Sequence, residues 1–150
     1  MKLTLAQAKE LGIAIPEDVK ARRSKHGAIA TEYNGRTYAS KAEAQRAMVL
    51  DDLLFVKRIR EWWPQPKYRL GNNVCIYIGD FLVIDDAGRH WTEDVKGREL
   101  PKFKRDAKLW ALYGRHPLVV IGASQRVIPG GLQAEPWPEW CNYLSRGRRA

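Results

Sequence analysis

The sequence predicts an α/β domain in which a mixed central sheet is flanked by helices, built in the order helix, three strands, helix, strand. Three observations predict it. An apolar stripe of helical period runs from Lys41 towards Arg60. Strand-like stretches separated by turn residues follow between Lys67 and Lys96. A cationic amphipathic stretch, Lys102 to Tyr113, is then succeeded by the continuous apolar run Leu118 to Ile121. Strand, helix, strand in that order closes by a right-handed crossover, which makes the last two strands parallel neighbours. A chain of 150 residues is long enough to bury one such core.

Ahead of the domain, Thr4 and Gln7 have the spacing of a capping box that opens a short helix, which Gly12 closes before Pro16. Residues 1–27 are therefore expected to form an N-terminal arm. Its stretch KARRSKH carries cations and no acid, which fits either a solvated linker or a phosphate-binding element holding Arg22, Arg23 and Lys25. In IATEYNGRTYAS, Asn34-Gly35 between Thr and Tyr residues predicts a hairpin whose two-residue turn has positive φ at both centres. Ser40 then caps a long helix, roughly 41–60, with Ala44, Ala47, Met48, Leu50, Leu54 and Phe55 as its stripe. Val49, Leu53 and Val56 widen that stripe, so more than one face is expected to be covered. Trp62, Trp63, Pro64 and Pro66 stop the helix and lead into a short strand, about 67–70.

Residues 74–84 and 89–96 read as two strands joined by Asp86-Ala87-Gly88, a three-residue hairpin loop. The second helix, about 102–113, turns Phe103, Ala107, Trp110 and Ala111 to one side. Residues 118–121 suit a strand buried on both faces. The core domain thus spans 28–123, and residues 124–150 form a C-terminal extension with a basic tail. Trp62, Trp63 and Trp110 are assigned to the core; Trp137 and Trp140 are left undecided.

Composition narrows the function. The 26 Lys and Arg outnumber the 17 Asp and Glu, for a net charge of +9, and such an excess favours a polyanionic partner because cations displace counterions condensed on phosphates. Nucleic acid leads the candidates. Cys75 and Cys141 are too few for a disulfide framework and lack zinc-binding spacing. With no signal sequence and no run of the ~20 apolar residues a membrane span needs, a cytoplasmic protein is expected.

The chemistry is expected on the strand pair. Along 74–84 the alternate residues Val74, Ile76, Ile78, Asp80, Leu82 and Ile84 would share one face, with Asp80 as its lone charge. If Gly88 takes the left-handed position of the loop, Asp85 faces Arg89 and Asp80 stands across from Asp94, with Cβ atoms ~5 Å apart. Two carboxylates so placed repel each other, and a divalent cation between them reverses the penalty. Oxygen ligands without His or Cys suit Mg²⁺ or Mn²⁺. Lys96, two residues on and on the same face, would hold an attacking water or stabilise charge on a phosphate. The alternative is a hairpin with two surface aspartates and an ordinary ion pair.

These residues also carry a resemblance. Gly79-Asp80-Phe81 followed by EDVKG at 93–97 resembles the PD-(D/E)XK nuclease motif on its strand hairpin, with Gly79 where the superfamily name has Pro. SKAEA at 40–44, on the preceding helix, matches the place of a third acidic residue, Glu43. The KHG, YNG and QPKY segments at Lys25, Tyr33 and Gln65 look like a phage and bacterial branch, similar in size and layout to archaeal-type Holliday junction resolvases. The resemblance covers roughly 24–121. It implies a restriction-endonuclease-like αβββαβ core, metal binding by Asp80, Asp94, the Val95 carbonyl and Glu43, and a water positioned by Lys96. Glu93, facing the opposite side, is given a structural role, with Ser40 and Gln65 supporting the site. Ser40 and Glu43 also satisfy a local capping box.

The leading expectation is a magnesium-dependent endonuclease, a homodimeric Holliday junction resolvase of a phage or bacterium leaving 5′-phosphate and 3′-hydroxyl ends, with DNA held by Lys102, Lys104, Arg105 and Lys108. A nickase, flap nuclease or restriction-like enzyme keeps the chemistry and changes the substrate. A non-catalytic DNA-binding module is the third possibility.

Overall fold

The computed structural model describes residues 27–72, 75–122 and 124–131. The chain divides into two units, 1–41 and 42–150. The described part of the first holds a hairpin of β1 (Thr31–Tyr33) and β2 (Arg36–Tyr38). Tyr33 pairs with Arg36 across the turn, and Asn34 and Gly35 have φ of 48° and 77°, the primed geometry that matches strand twist.

Helix α1 (Lys41–Phe55) starts at the last residue of the first unit and otherwise belongs to the second. This helix ends five residues short of the sequence expectation. Lys57 takes φ 57°, the Lys57 N–H bonds to the Leu54 carbonyl and the Arg58 N–H to that of Leu53. Those two bonds make a Schellman motif, here without the glycine that usually announces one. Ala44, Ala47, Leu50 and Leu53 are buried, whereas Met48, Val49, Leu54, Phe55 and Val56 are exposed, Phe55 at 88%. The widened stripe is thus only half covered.

Because α1 stops early, β3 (Ile59–Pro64) forms across the expected end of the helix and the connection expected to follow it. It begins a five-stranded sheet in the order β3-β6-β7-β8-β9, with β6 Phe81–Asp85, β7 His90–Lys96, β8 Leu118–Gly122 and β9 Arg126–Ile128. The β7–β8 pair is parallel and the others antiparallel, as the crossover through α2 (Pro101–Tyr113) requires. The fold is therefore α/β, an αβββαβ core made of α1, β3, β6, β7, α2 and β8. A two-stranded ribbon, β4 (Lys67–Leu70) and β5 (Cys75–Ile78), is inserted between β3 and β6. β9, which no pattern in the sequence marked, extends the edge.

Alternation along β7 assigns the layers. Trp91 and Glu93 face one way, opposite Val83 and Phe81 of β6, and Arg46 of α1 reaches Glu93 on that face. Thr92 and Asp94 face the other way, beside Leu118 and Val120 of β8. On this second side Phe103, Ala107 and Trp110 of α2 pack with Leu118, Val120, Ile128 and the ribbon's Leu70, Cys75 and Tyr77. Each such buried side chain contributes roughly 1.5–3 kcal/mol. The Trp110 ring meets Tyr68 and Tyr77 edge-on, with centroids at 5.0 and 5.5 Å. Trp110 is core, as expected; Trp62 is half-buried and bonded to Asp51. Trp63 is 57% exposed and Ala111 is exposed, both contrary to expectation, Trp63 because β3 is an edge strand whose outward face meets solvent.

Candidate active site

The expected single strand over 74–84 is broken at Gly79-Asp80. β5 pairs with β4, β6 pairs with β3, and the two belong to different sheets. At the break the Gly79 N–H bonds to the Pro66 carbonyl, the Gln65 N–H to the Asp80 carbonyl, and the Asp80 N–H to the Glu93 carbonyl. Gly79 fits because a Cβ there would lie 2.5 Å from Thr92 Cγ2. The bend changes which side chains share a face. Cys75 and Tyr77 turn into the core, while Ile76 and Ile78 stay 60% and 51% exposed, so the apolar row expected around Asp80 does not exist.

The expected register survives the bend. Gly88 has φ 81°, Asp85 and Arg89 are bonded across the loop, and Phe81 pairs with Glu93, which sets Asp80 beside Asp94. Asp80 ends the β6–β7 ladder by accepting the Val95 N–H on Oδ2 at 2.7 Å. Asp94 is 1% exposed. Its Oδ2 accepts a short hydrogen bond from the Tyr77 hydroxyl; its Oδ1 stands 2.7 Å from Lys96 Nζ but makes no hydrogen bond of good geometry. Lys96 in turn lies over the Phe103 ring, 5.1 Å from its centroid.

Electrostatics bind these groups together. Burial pushes the Asp80 carboxyl up to about 8, helped by the charges of Asp94 and Glu43, while the Val95 N–H and Lys96 act the other way. For Lys96, burial works to lower the pKa, but Asp94, Asp80 and Glu43 outweigh it and hold it above the usual lysine value. Burial, then Asp94, raises the Tyr77 hydroxyl. Two carboxylates and an ammonium therefore share a poorly solvated corner, where charge on both acids is costly until a cation joins them. Glu43, half-buried in the first turn of α1, is felt by this corner. Among the described residues, no three His, Cys, Asp or Glu side chains form a group that could hold a metal ion, so the donor set closest to a metal centre is Asp80 with Asp94.

The supporting residues divide. Glu93, 0% exposed, accepts Arg46 through both Nε and Nη2 at 2.6 Å and the Trp91 indole N–H at 3.0 Å. Gln65 supports the site through its backbone, at φ 52°. Ser40 immediately precedes α1 and is half-buried. Thr92 bridges Tyr68 (2.6 Å) and His116 (2.8 Å) beneath Gly79.

The expected DNA-contacting cations do not form one stripe. Lys102, with Arg98, rims a cavity that Asp94 and Lys96 also line. Arg105 is tied to the buried Asp106, and Lys104 and Lys108 line a separate depression with Glu99 and Arg126. Arg22, Arg23 and Lys25 lie outside the described residues, as do Cys141, Trp137 and Trp140.

Sequence reasoning missed Tyr77 and Arg46. A straight strand places Tyr77 on the face opposite Asp80, and the break at Gly79, set by the separate pairings of β5 and β6, is what brings it to Asp94. Arg46 was legible as a charge amid Ala44, Ala47 and Leu50, where an uncompensated cation would not be tolerated.

A family model described as Protein of unknown function (DUF1064) matches residues 23–118, and the chain belongs to that family. No curated protein and no solved structure matches the chain. No helix among the described residues is long and apolar enough to cross a membrane.

Proposed function

We propose that the chain is a metal-dependent DNA endonuclease of the PD-(D/E)XK kind, acting on branched DNA, with a four-way junction as first substrate. The observation that carries the reading is a pair of carboxylates, Asp80 and Asp94, set side by side on adjacent antiparallel strands, with Lys96 against the second. Asp94 Oδ1, buried, with the Lys96 ammonium 2.7 Å away and no hydrogen bond of good geometry, fits a hard divalent ion, Mg²⁺ or Mn²⁺, which takes oxygen ligands and completes its shell with water. Asp80, Asp94 and the Val95 carbonyl would hold it. Such an ion supplies a Lewis acid that eases deprotonation of water and neutralises charge building on a phosphate.

The chain's own groups do the rest. Tyr77 fixes Asp94 through Oδ2, and the Val95 N–H fixes Asp80, so both acids are oriented before substrate arrives. Lys96 donates to the attacking water or to a phosphate oxygen. In-line attack on phosphorus, with the 3′ oxygen leaving, gives 5′-phosphate and 3′-hydroxyl ends. Glu43 adds negative charge from α1 and attracts the cation. Exposed Met48, Val49 and Phe55 on α1, with Val56 just after it, support pairing with a second copy, which would cut the two symmetric strands of a junction. A cytoplasmic location, in a bacterium or a phage-infected one, accompanies this reading.

The test compares four-way, flap, nicked and linear DNA in Mg²⁺ and in EDTA. The reading expects Mg²⁺-dependent incision, fastest on the four-way junction, and its loss in Asp80→Asn and Asp94→Asn. Preference for a flap or nick would move the substrate and keep the chemistry. Intact DNA in every arm, with Mg²⁺ or Mn²⁺, would refute it.

A further inference from the structure

Beside the acidic pair, a cavity of about 240 Å³ opens between β5 and the start of α2. One wall is apolar: Ile76 and Ile78 project outward from the ribbon, and Leu100 faces them from the loop before α2. The rim is cationic, with Arg98 and Lys102. The two carboxylates that reach the cavity are both buried and engaged, Asp94 by Tyr77 and Lys96, Asp106 by Arg105, Cys75 and, at 3.6 Å, the exposed Lys102. An exposed isoleucine pair on a short ribbon gains nothing from solvent, and among the described residues the core is supplied by the ribbon's other face.

We infer that this cavity is a nucleotide subsite, holding an unpaired base of the DNA next to the scissile phosphate. The inference rests on the nuclease reading and names what makes its site selective. The chemistry of the lining is that of a nucleotide: an apolar slot for a planar base, with Arg98 and Lys102 placed for the adjoining phosphates. The space, about 240 Å³ and partly open to solvent, has room for one planar base. Continuity with Asp94 and Lys96 puts the occupant within one nucleotide of the reacting phosphate. A base inside a duplex must first be unstacked to enter, at a cost of a few kcal/mol, whereas one in a bulge or a single-stranded flap is already available. Selection for DNA with an unpaired base near the cut then follows from the pocket, whatever the oligomeric state.

The experiment uses the full chain and a DNA duplex with one bulged 2-aminopurine, against the same duplex with that base paired. In EDTA, binding is expected to change the fluorescence of the bulged base and shield it from iodide. Ile76→Ser/Ile78→Ser, whose sites are solvent-facing and whose folding is checked by urea denaturation, is expected to lose that shielding. With Mg²⁺, the wild type is expected to cut beside the bulge at least ten-fold faster than in the paired duplex, and the variant to show no such preference. Incision without shielding, or a preference unchanged in the variant, overturns the subsite and leaves the nuclease reading standing. Shielding without incision under any divalent ion overturns the nuclease reading and leaves the base-binding subsite standing.

Discussion

Arg46 and Glu93 form the junction between helix α1 and strand β7, and breaking that junction is expected to be expensive. Glu93 is 0% exposed and Arg46 8%, joined by two bonds of 2.6 Å. Arg46→Met keeps the bulk of the side chain and strands a carboxylate away from water, with the Trp91 indole left as a donor to it. Removing one partner of such a pair costs roughly 3–5 kcal/mol, a large share of the ~5–15 kcal/mol that a domain of this size has. At about 2–4 °C per kcal/mol, Tm should fall by something on the order of 6–20 °C. Arg46→Met/Glu93→Leu removes both charges; it takes the Glu93 acceptor from the Trp91 N–H, at a cost of about 1–3 kcal/mol, and should recover much of the loss. Urea denaturation followed by tryptophan fluorescence measures all three free energies. A single-variant loss under about 1 kcal/mol, or a double variant no better than the single, would refute the claim that this pair bears the helix–sheet contact. Because Glu93 precedes Asp94 and Arg46 lies one turn beyond Glu43, weakened Mg²⁺-dependent activity is expected to accompany the stability loss.

Three further outcomes are expected. Gly79→Ala places a methyl 2.5 Å from Thr92 Cγ2 and should cost about 1–3 kcal/mol as overpacking does, while adding Thr92→Ser, which removes that methyl and keeps the hydroxyl, should restore part of it in the same denaturation assay. Tyr77→Phe deletes the hydroxyl that orients Asp94 and should slow incision about 10–100-fold, the usual effect of removing a group behind a metal ligand, with circular dichroism unchanged. His116 is pushed down to about 4 by burial, with His90 adding to it, against an ordinary value near 6.5. The unfolded chain therefore takes up this proton first, so the contribution is fully present above pH ~6.5 and is lost as pH falls towards 4, by at most roughly 3 kcal/mol; His116→Gln should flatten that slope in urea titrations at stepped pH.

The parts of the fold that were legible are those carried by strong local signals. Asn34-Gly35 specified its turn, Gly88 specified the loop and hence the register of β6 on β7, and the run at 118–121 specified a buried parallel strand. Illegible parts lacked such a signal. Lys57 closes α1 in a conformation that glycine normally marks, so the first two residues of β3 were read as helix and the rest as the connection after it. The break at Gly79 arises from long-range pairing, β5 with β4 and β6 with β3, and a local alternation pattern does not contain it; one irregular residue reverses the facing of everything upstream. For the same reason the juxtaposition of Asp80, Asp94 and Lys96 was legible, being near the loop that sets their register, and Tyr77 beside Asp94 was missed, being beyond the break. β9 is too short and its neighbours too polar to show in the pattern.

Titration of Mn²⁺ into the full chain by isothermal calorimetry, wild type against Asp94→Asn and Asp80→Asn, tests most directly whether the two carboxylates make a metal centre. One ion per chain should bind the wild type, and either variant should weaken it at least ten-fold while thermal unfolding confirms an intact fold. Equal binding by wild type and Asp94→Asn, or no binding by folded wild type, would contradict the account.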